Sequence, residues 1–456
     1  MMASKPHSRS KGVFHYTYRK GMEHKERKTT VALETLGCKL NQAETETLAR
    51  QFSRAGYEVT ALGNSADIYV LNTCTVTHIA DRKSRHLLRL ARRQNPHAFI
   101  IATGCFAQRA ADELGEMGEV DLVVGNNDKE RLVQIVEVKR GKAAGYSFAT
   151  SYKGHRTRAM VKIQDGCEQF CSYCIVPLVR GEEHSLPMEQ VIQEIRTRVA
   201  EGYKEILLTG TQIGHYGQGN SKTEGVTLHR LVQRILAETK VERLRLSSIQ
   251  PQDVTPELLW LWADERLCPH FHLSLQSGND AVLGRMRRPY SIADYTKAVA
   301  MIREMVPEVA ITTDVIVGFP GESEEEFEQS YRFCERMGFA RMHIFPYSTR
   351  PGTFACQMPD QVDERVKKQR SQQMLELAGR SAQRFQDRFL GNQAIVLWET
   401  NKDGTWTGLT GNYIRVYTRY AEDLTNRLLC AKLICKHKEG VWTELLEKGG
   451  ENNGPS

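Results

Sequence analysis

Three cysteines, Cys167, Cys171 and Cys174, fall within eight residues of the stretch GCEQFCSYCIVP, in the spacing C-x3-C-x2-C. Thiols this close can surround one metal centre without help from the rest of the chain, so the fold must present this loop at a protected site. A lone zinc needs a fourth ligand, and His184, the nearest histidine downstream, is ten residues past Cys174. Iron–sulfur clusters ordinarily take four thiolates. Three can hold a cubane while leaving one iron open to a small molecule. The competing reading, three unrelated surface or core thiols, fits so tight a spacing poorly.

With Tyr173 directly before the third cysteine, the stretch resembles the signature of the radical S-adenosylmethionine (SAM) superfamily. The resemblance implies that the open iron chelates the amino and carboxylate groups of SAM. It also implies that an electron from the cluster cleaves SAM to a 5′-deoxyadenosyl radical, with Tyr173 beside the adenine.

At 456 residues the chain is long enough for two or three domains. It holds 40% hydrophobic residues and no apolar run approaching the ~18 residues of a membrane span. Eleven cysteines over this length are too sparse for a disulfide scaffold, and metal-bound thiols in a reducing cytoplasm fit better. Most of the net charge of +7 comes from residues 1–30, where eight Lys and Arg face two Glu. Residues 1–28 therefore read as a solvated, disordered basic arm. No apolar stretch of an export signal follows it, and Met22 offers a second starting point.

Three apolar runs then follow one plan: TVALETLGC ends at Cys38, ADIYVLNTC at Cys74 and AFIIATGC at Cys105. Helical stretches at 42–55 and 81–94 separate them, an alternation that predicts a parallel α/β sheet. In such sheets the loops at the carboxyl ends of the strands form the ligand site. The three cysteines are thus expected to meet in space, although 36 and 31 residues separate them in sequence. A fourth run, DLVVGNN, brings Asn126 and Asn127 to the same edge. One such cysteine would read as a small buried residue; three placed alike read as metal ligands, again one short of four. The helix at 81–94 carries Arg82, Lys83, Arg85, Arg89, Arg92 and Arg93 around Leu87, Leu88 and Ala91. It is either an amphipathic surface helix or a phosphate-contacting face.

From Ala159 the alternation resumes with longer helices, at 188–201, 227–238, 255–266, 292–305 and 323–337. Six strand–helix units predict a partial (β/α)6 barrel whose active groups sit at the carboxyl ends of the strands. The Cys167 loop follows the first strand. The other strand ends offer Gln212, Ser248, Gln276, Gly318 and Tyr347 as candidate contacts to a ligand's ribose, adenine or amino-acid group. VGFPGESEEEF resembles the superfamily's fifth-strand element near the SAM adenine. LLTGTQ stands in the place of its acid-bearing second-strand motif, here without the acid.

A polar helix at 362–390 follows. From Asn392 short β-like runs separated by Gly, Asn and Asp predict a small five-stranded β-barrel, a shape often used for oligonucleotides. Trp398, Trp406, Tyr413 and Tyr417 read as core. GLTGNYIR, residues 408–415, resembles the glycine loop of the TRAM domain, an RNA-binding module. Cys268, Cys334, Cys356, Cys430 and Cys435 match no motif and read as structural, with Cys430 and Cys435 flanking a strand.

Three early cysteines, the C-x3-C-x2-C triplet and a TRAM-like tail, in that order, resemble the methylthiotransferase family from about residue 30 to 447. The motifs TLGCKLNQAETE, NTCTVTHIADRKSR, TGCFAQ and YSTRPGTFA carry the likeness. It implies an N-terminal methylthiotransferase domain at 29–141, a radical SAM core at 153–383 and a TRAM domain at 386–449. It further implies two 4Fe–4S clusters: one on Cys167, Cys171 and Cys174 that cleaves SAM, and an auxiliary one on Cys38, Cys74 and Cys105 that carries the sulfur a second SAM methylates. The motifs are most similar to the bacterial branch acting on C2 of N6-threonylcarbamoyladenosine at position 37 of tRNA. The alternatives are another tRNA adenosine, a ribosomal protein, or a non-catalytic RNA-binding or iron-sensing role. The implied partners are tRNA, SAM and an electron donor of the reduced flavodoxin or ferredoxin type, with the enzyme a cytoplasmic monomer.

Overall fold

The structure, a computed structural model, describes residues 28–61, 66–141, 157–218 and 226–446. Apart from Lys28, the basic arm expected at 1–28 lies outside the described residues, as does Met22.

The runs TVALET, IYVLNT and FIIATG form the strands Thr30–Thr35, Ile68–Thr73 and Phe99–Gly104. Near-continuous apolar strands of this kind are buried on both faces, as a parallel sheet between helices requires. The five-stranded sheet runs Glu58–Thr60, Thr30–Thr35, Ile68–Thr73, Phe99–Gly104, Leu122–Val124, and every pair is parallel. Glu58–Thr60, an edge strand of three residues, is too short to show a periodicity and was not expected. The register sets Thr35 opposite Asn72 and Thr73 opposite Gly104. The chain therefore leaves the sheet at one level just before each of the three cysteines. The helices Lys39–Arg54 and His78–Gln94 begin about a turn earlier than the apolar pattern suggests, because Cys38 and Thr77 cap them by accepting backbone N–H groups.

The next six parallel strands, Arg158–Lys162, Glu205–Thr209, Arg243–Leu246, His270–Leu273, Ala310–Val317 and Arg341–Pro346, make the partial (β/α)6 barrel. The third strand breaks at Ser247. Its first half pairs with Glu205–Thr209, and its continuation, Ser248–Ile249, pairs with His270–Leu273. The helix expected over 255–266 is only Pro256–Leu259 plus the short turn Trp260–Ala263. Trp262 explains the shortening: it packs on Phe271 and donates to the Cys268 carbonyl, which draws the chain back to the sheet early. The barrel core is apolar and includes Met374 and Leu377 of the long helix Glu364–Asp387. That helix, read from sequence only as a polar helix, lies along the last strand as part of the barrel wall, with Ser381 Oγ donating to the Phe339 carbonyl.

The tail closes into a five-stranded barrel around Trp398, Trp406 and Val416. Tyr417 is also buried, so these aromatics are core as expected. The GLTGNYIR loop does not point into solvent. Its Leu409, Thr410 and Gly411 carbonyls accept from Arg243 and Arg245, and Tyr413 stacks on His270 at 4.6 Å between centroids. The loop thus plugs the amino-terminal end of the larger barrel. Cys268 and Cys334 are buried, while Cys430 and Cys435 lie within the strand Leu428–His437 rather than flanking it. Among the described residues no helix is long and apolar enough to cross a membrane.

Candidate active site

The N-terminal sheet lies with its carboxyl edge over the carboxyl mouth of the large barrel, and a cavity of about 580 Å³ fills the space between. Cys38, Cys74 and Cys105 line it, and so do Cys167, Cys171 and Cys174. Tyr173, Gln212, Ser248 and Gln276 form part of the same wall.

Local geometry explains how the early thiols converge. Asn41 holds two of the loops together, its side-chain amide donating to the Leu36 and Thr73 carbonyls at 2.8 and 3.0 Å. Gly37 has φ +97°, and a Cβ there would stand 2.7 Å from the Cys74 sulfur, so only glycine lets these loops pass. Asn126 Nδ2 lies 3.7 Å from Cys105 Sγ and donates to the Val179 carbonyl, which ties the fourth strand end to the barrel loop. Burial pushes the Cys74 thiol up to about 12. Left alone, such thiols stay neutral; a bound cation deprotonates them. An all-sulfur set of three, free of competing oxygen ligands, suits an iron–sulfur cluster with one open iron.

The second set sits in the loop after Gln164–Asp165. Burial lifts Cys167 to about 11 and Cys174 to about 12. Arg288 donates to Cys171 Sγ at 3.1 Å and to Gln250 Oε1 at 2.9 Å, fixing a positive charge against the sulfur. Gln212 has its Oε1 3.4 Å from Cys167 Sγ. Its Nε2 is buried without a hydrogen-bond partner among the described residues, and such a group costs free energy until a ligand meets it. Gln276 holds φ +72°, locked by backbone bonds to Asp314 and Ile316. Strain of this kind at a cavity wall persists only where the surroundings enforce it.

Gly318 and Tyr347 do not line this cavity. Gly318, at φ +68°, lies beneath Lys367 and donates its N–H to Glu322, which Arg370 also holds. Its glycine is required by the turn and the helix packed on it. Tyr347 is buried with Phe319, Val282, Met286 and Ala355. Tyr173 packs against the same cluster, edge-on to Phe319, so Tyr347 backs the wall instead of forming it.

Buried charges lock the two domains around the cavity. Arg180 bonds Glu44 at 2.9 Å, Asp165 at 2.9 Å and Asn41 Oδ1 at 2.6 Å, and Lys129 reaches Glu44 at 2.6 Å. On the other side Arg350, of the YSTRPGTFA motif, bonds Asp81 at 2.7 Å, and Arg109 joins them. The basic helix spends half its charge internally: Arg85 pairs with Glu113, Arg89 with Glu119 and Arg92 with Asp121. Arg82, Lys83 and Arg93 remain exposed.

Sequence reasoning passed over several cavity residues. His272 and His343 each bond a different oxygen of Asp314, at 3.2 and 3.0 Å. Burial alone would raise the Asp314 carboxyl, but these two bonds hold it well below the usual range. Lys39, Arg288 and Phe345 also face the cavity. The signal was present: polar residues at inward positions of otherwise apolar strands, as in HFHLSLQ and AITTDVIV.

The Uncharacterized protein family UPF0004 matches residues 30–125 and the Radical SAM superfamily residues 161–334. The threonylcarbamoyladenosine tRNA methylthiotransferase MtaB of Bacillus subtilis is 37% identical over 92% of this chain and 97% of its own length. Its counterpart in Aquifex aeolicus is 39% identical, covering 85% and 96%. A tRNA-2-methylthio-N(6)-dimethylallyladenosine synthase of Acetivibrio thermocellus is 34% identical, covering 85% of both chains. Among solved structures, the radical S-adenosylmethionine methyltransferase TsrM of Kitasatospora setae superposes with a TM-score of 0.53 at 15% identity, over 72% of this chain and 77% of its own. That likeness concerns the fold.

Proposed function

The chain belongs to the radical SAM methylthiotransferases, enzymes that use SAM and 4Fe–4S clusters to modify tRNA, and on that premise we propose that it methylthiolates C2 of N6-threonylcarbamoyladenosine at position 37 of tRNA. The observation that carries the proposal is the single cavity lined by both cysteine triplets. Cys38, Cys74 and Cys105 hold one cluster and Cys167, Cys171 and Cys174 the other, within segments 29–141 and 153–383. Bound there, one cluster would supply the electron for SAM cleavage and the other the sulfur for the methylthio group.

The protein's own part is placement. An aromatic C–H yields to neither acid nor base, so the cofactor brings the reactivity and the chain holds the reacting atoms in line. Tyr173, Gln212, Ser248 and Gln276 contact SAM; the free Nε2 of Gln212 can donate to its carboxylate, whereas no acid stands there for its ammonium. Gly318 and Tyr347 support that wall from behind. The buried Arg180 and Arg350 contacts hold the N-terminal domain over the barrel mouth and keep the cavity short of water, which protects a radical from quenching. The exposed Arg82, Lys83 and Arg93, together with the TRAM segment at 386–449, bind tRNA phosphates. The enzyme works as a cytoplasmic monomer and takes electrons from a reduced flavodoxin or ferredoxin.

The threonylcarbamoyl reading rests on the 37–39% identical relatives; the 34% identical dimethylallyl enzyme marks the alternative. Reconstituted protein given SAM, a reductant and tRNA carrying threonylcarbamoyladenosine is expected to yield its 2-methylthio form by nucleoside mass analysis. Product only from dimethylallyladenosine tRNA, or only from ribosomal protein, would overturn the reading.

A further inference from the structure

The relatives differ in what hangs from N6 of the target adenine. A threonylcarbamoyl group ends in a carboxylate that is ionised at neutral pH, and a dimethylallyl group is uncharged and apolar. A cavity that tells them apart needs a donor to the carboxylate that the cavity's own acids have not already claimed.

The cations lining the cavity divide cleanly. Arg180 is committed to Glu44, Asp165 and Asn41. Arg288 is committed to Gln250, Tyr290 and the Cys171 sulfur. Asp314 is the one acid among the lining residues, and both its oxygens are taken by His272 and His343. The side chain of the half-buried Lys39 has no hydrogen bond or ion pair among the described residues. Its electrostatic surroundings are Tyr413, Arg245, Arg158 and Asp314; Arg158 and Arg245 already hold Glu399 and Glu205, and Asp314 holds the two histidines. Among the described Lys and Arg residues of the cavity lining, Lys39 alone has an uncommitted head group.

Its place in the chain matters as much as its charge. Lys39 directly follows Cys38, so its side chain leaves the backbone beside the thiol set assigned to the sulfur-bearing cluster. In adenine, N6 is attached to C6, and N1 alone separates C6 from C2. A group reading the N6 substituent must stand close to where C2 reacts.

The geometry points to Lys39 as the specificity-determining residue that pairs with the threonylcarbamoyl carboxylate. The inference rests on the substrate reading above and adds the group that enforces it. Against an apolar substituent the same ammonium would stay desolvated and unpaired, which rejects the wrong substrate as well as attracting the right one.

The test uses the reconstituted full-length holoenzyme and two anticodon stem-loops, one bearing threonylcarbamoyladenosine and one in which the threonine carboxylate is a carboxamide. Both Kd and kcat/KM for methylthiolation are measured. Wild type is expected to favour the carboxylate by roughly 10- to 100-fold, the range of one charged hydrogen bond. Lys39→Met and Lys39→Gln should erase that ratio while Lys39→Arg keeps most of it, with iron content and circular dichroism checking that each variant is folded and loaded. A neutral variant that keeps the wild-type ratio, or an active wild type with no preference, overturns the inference alone. A wild type that neither binds nor modifies either loop overturns the substrate reading, and the inference falls with it.

Discussion

The two cysteine triplets reach the same cavity by opposite routes. Cys167, Cys171 and Cys174 sit in one loop of eight residues, and their convergence is a property of that loop. Cys38, Cys74 and Cys105 come from three strands, and only the parallel register, with Thr73 level with Gly104, brings them together. One set is local and the other is topological. The difference predicts where each is fragile: the first fails when a ligand is lost, whereas the second also fails when sheet, turn or domain contact shifts.

The sharpest contrast comes from single ligands. Cys171→Ala is expected to abolish SAM cleavage and everything downstream. Cys74→Ala should leave SAM cleavage within a few-fold of wild type while 2-methylthio product disappears, as read by 5′-deoxyadenosine and nucleoside analysis of the same reactions. Equal loss of both activities in Cys74→Ala would break the division of labour between the sets.

A weaker perturbation probes the seam between the domains. Arg180→Met leaves Glu44 and Asp165 buried with one fewer partner each. Breaking a buried pair in this way costs about 3 kcal/mol, measurable as a shifted urea midpoint. Methylthiolation should fall further than SAM cleavage, because only the former needs both domains in register. An equal fall in both would place the Arg180 network outside the coupling of the two sets.

The smallest effect is expected at Gly37. Gly37→Ala forces a side chain into a positive-φ position against the Cys74 sulfur, costing roughly 1–3 kcal/mol of local strain. Iron bound at the early set should drop while SAM cleavage persists. Full iron retention would show that the Cys74 loop can relax, and would blur the contrast between a local and a topological site.

The sequence disclosed the six cysteines and their meeting because both signals are one-dimensional: a spacing in one case, and a repeated strand end in the other. It was less informative where a residue's role depends on a partner far along the chain. Gly318 stands in a recognisable element, yet its glycine answers to Lys367 on a later helix. Arg180 looks like any loop arginine until Glu44 of the other domain faces it. The GLTGNYIR loop resembles a recognition loop, but Arg243 and Arg245 hold it at the barrel's closed end. His272, Asp314 and His343 occur on three separate strands, so nothing in any single strand announces their triad.

The account stands on two separate cluster sites sharing one cavity. Iron and sulfide analysis of anaerobically reconstituted protein tests this directly, with the Cys38, Cys74, Cys105 triple-alanine variant beside the wild type. About eight irons per wild-type chain and about four in the variant are expected for two 4Fe–4S clusters. About four irons in both proteins would contradict it.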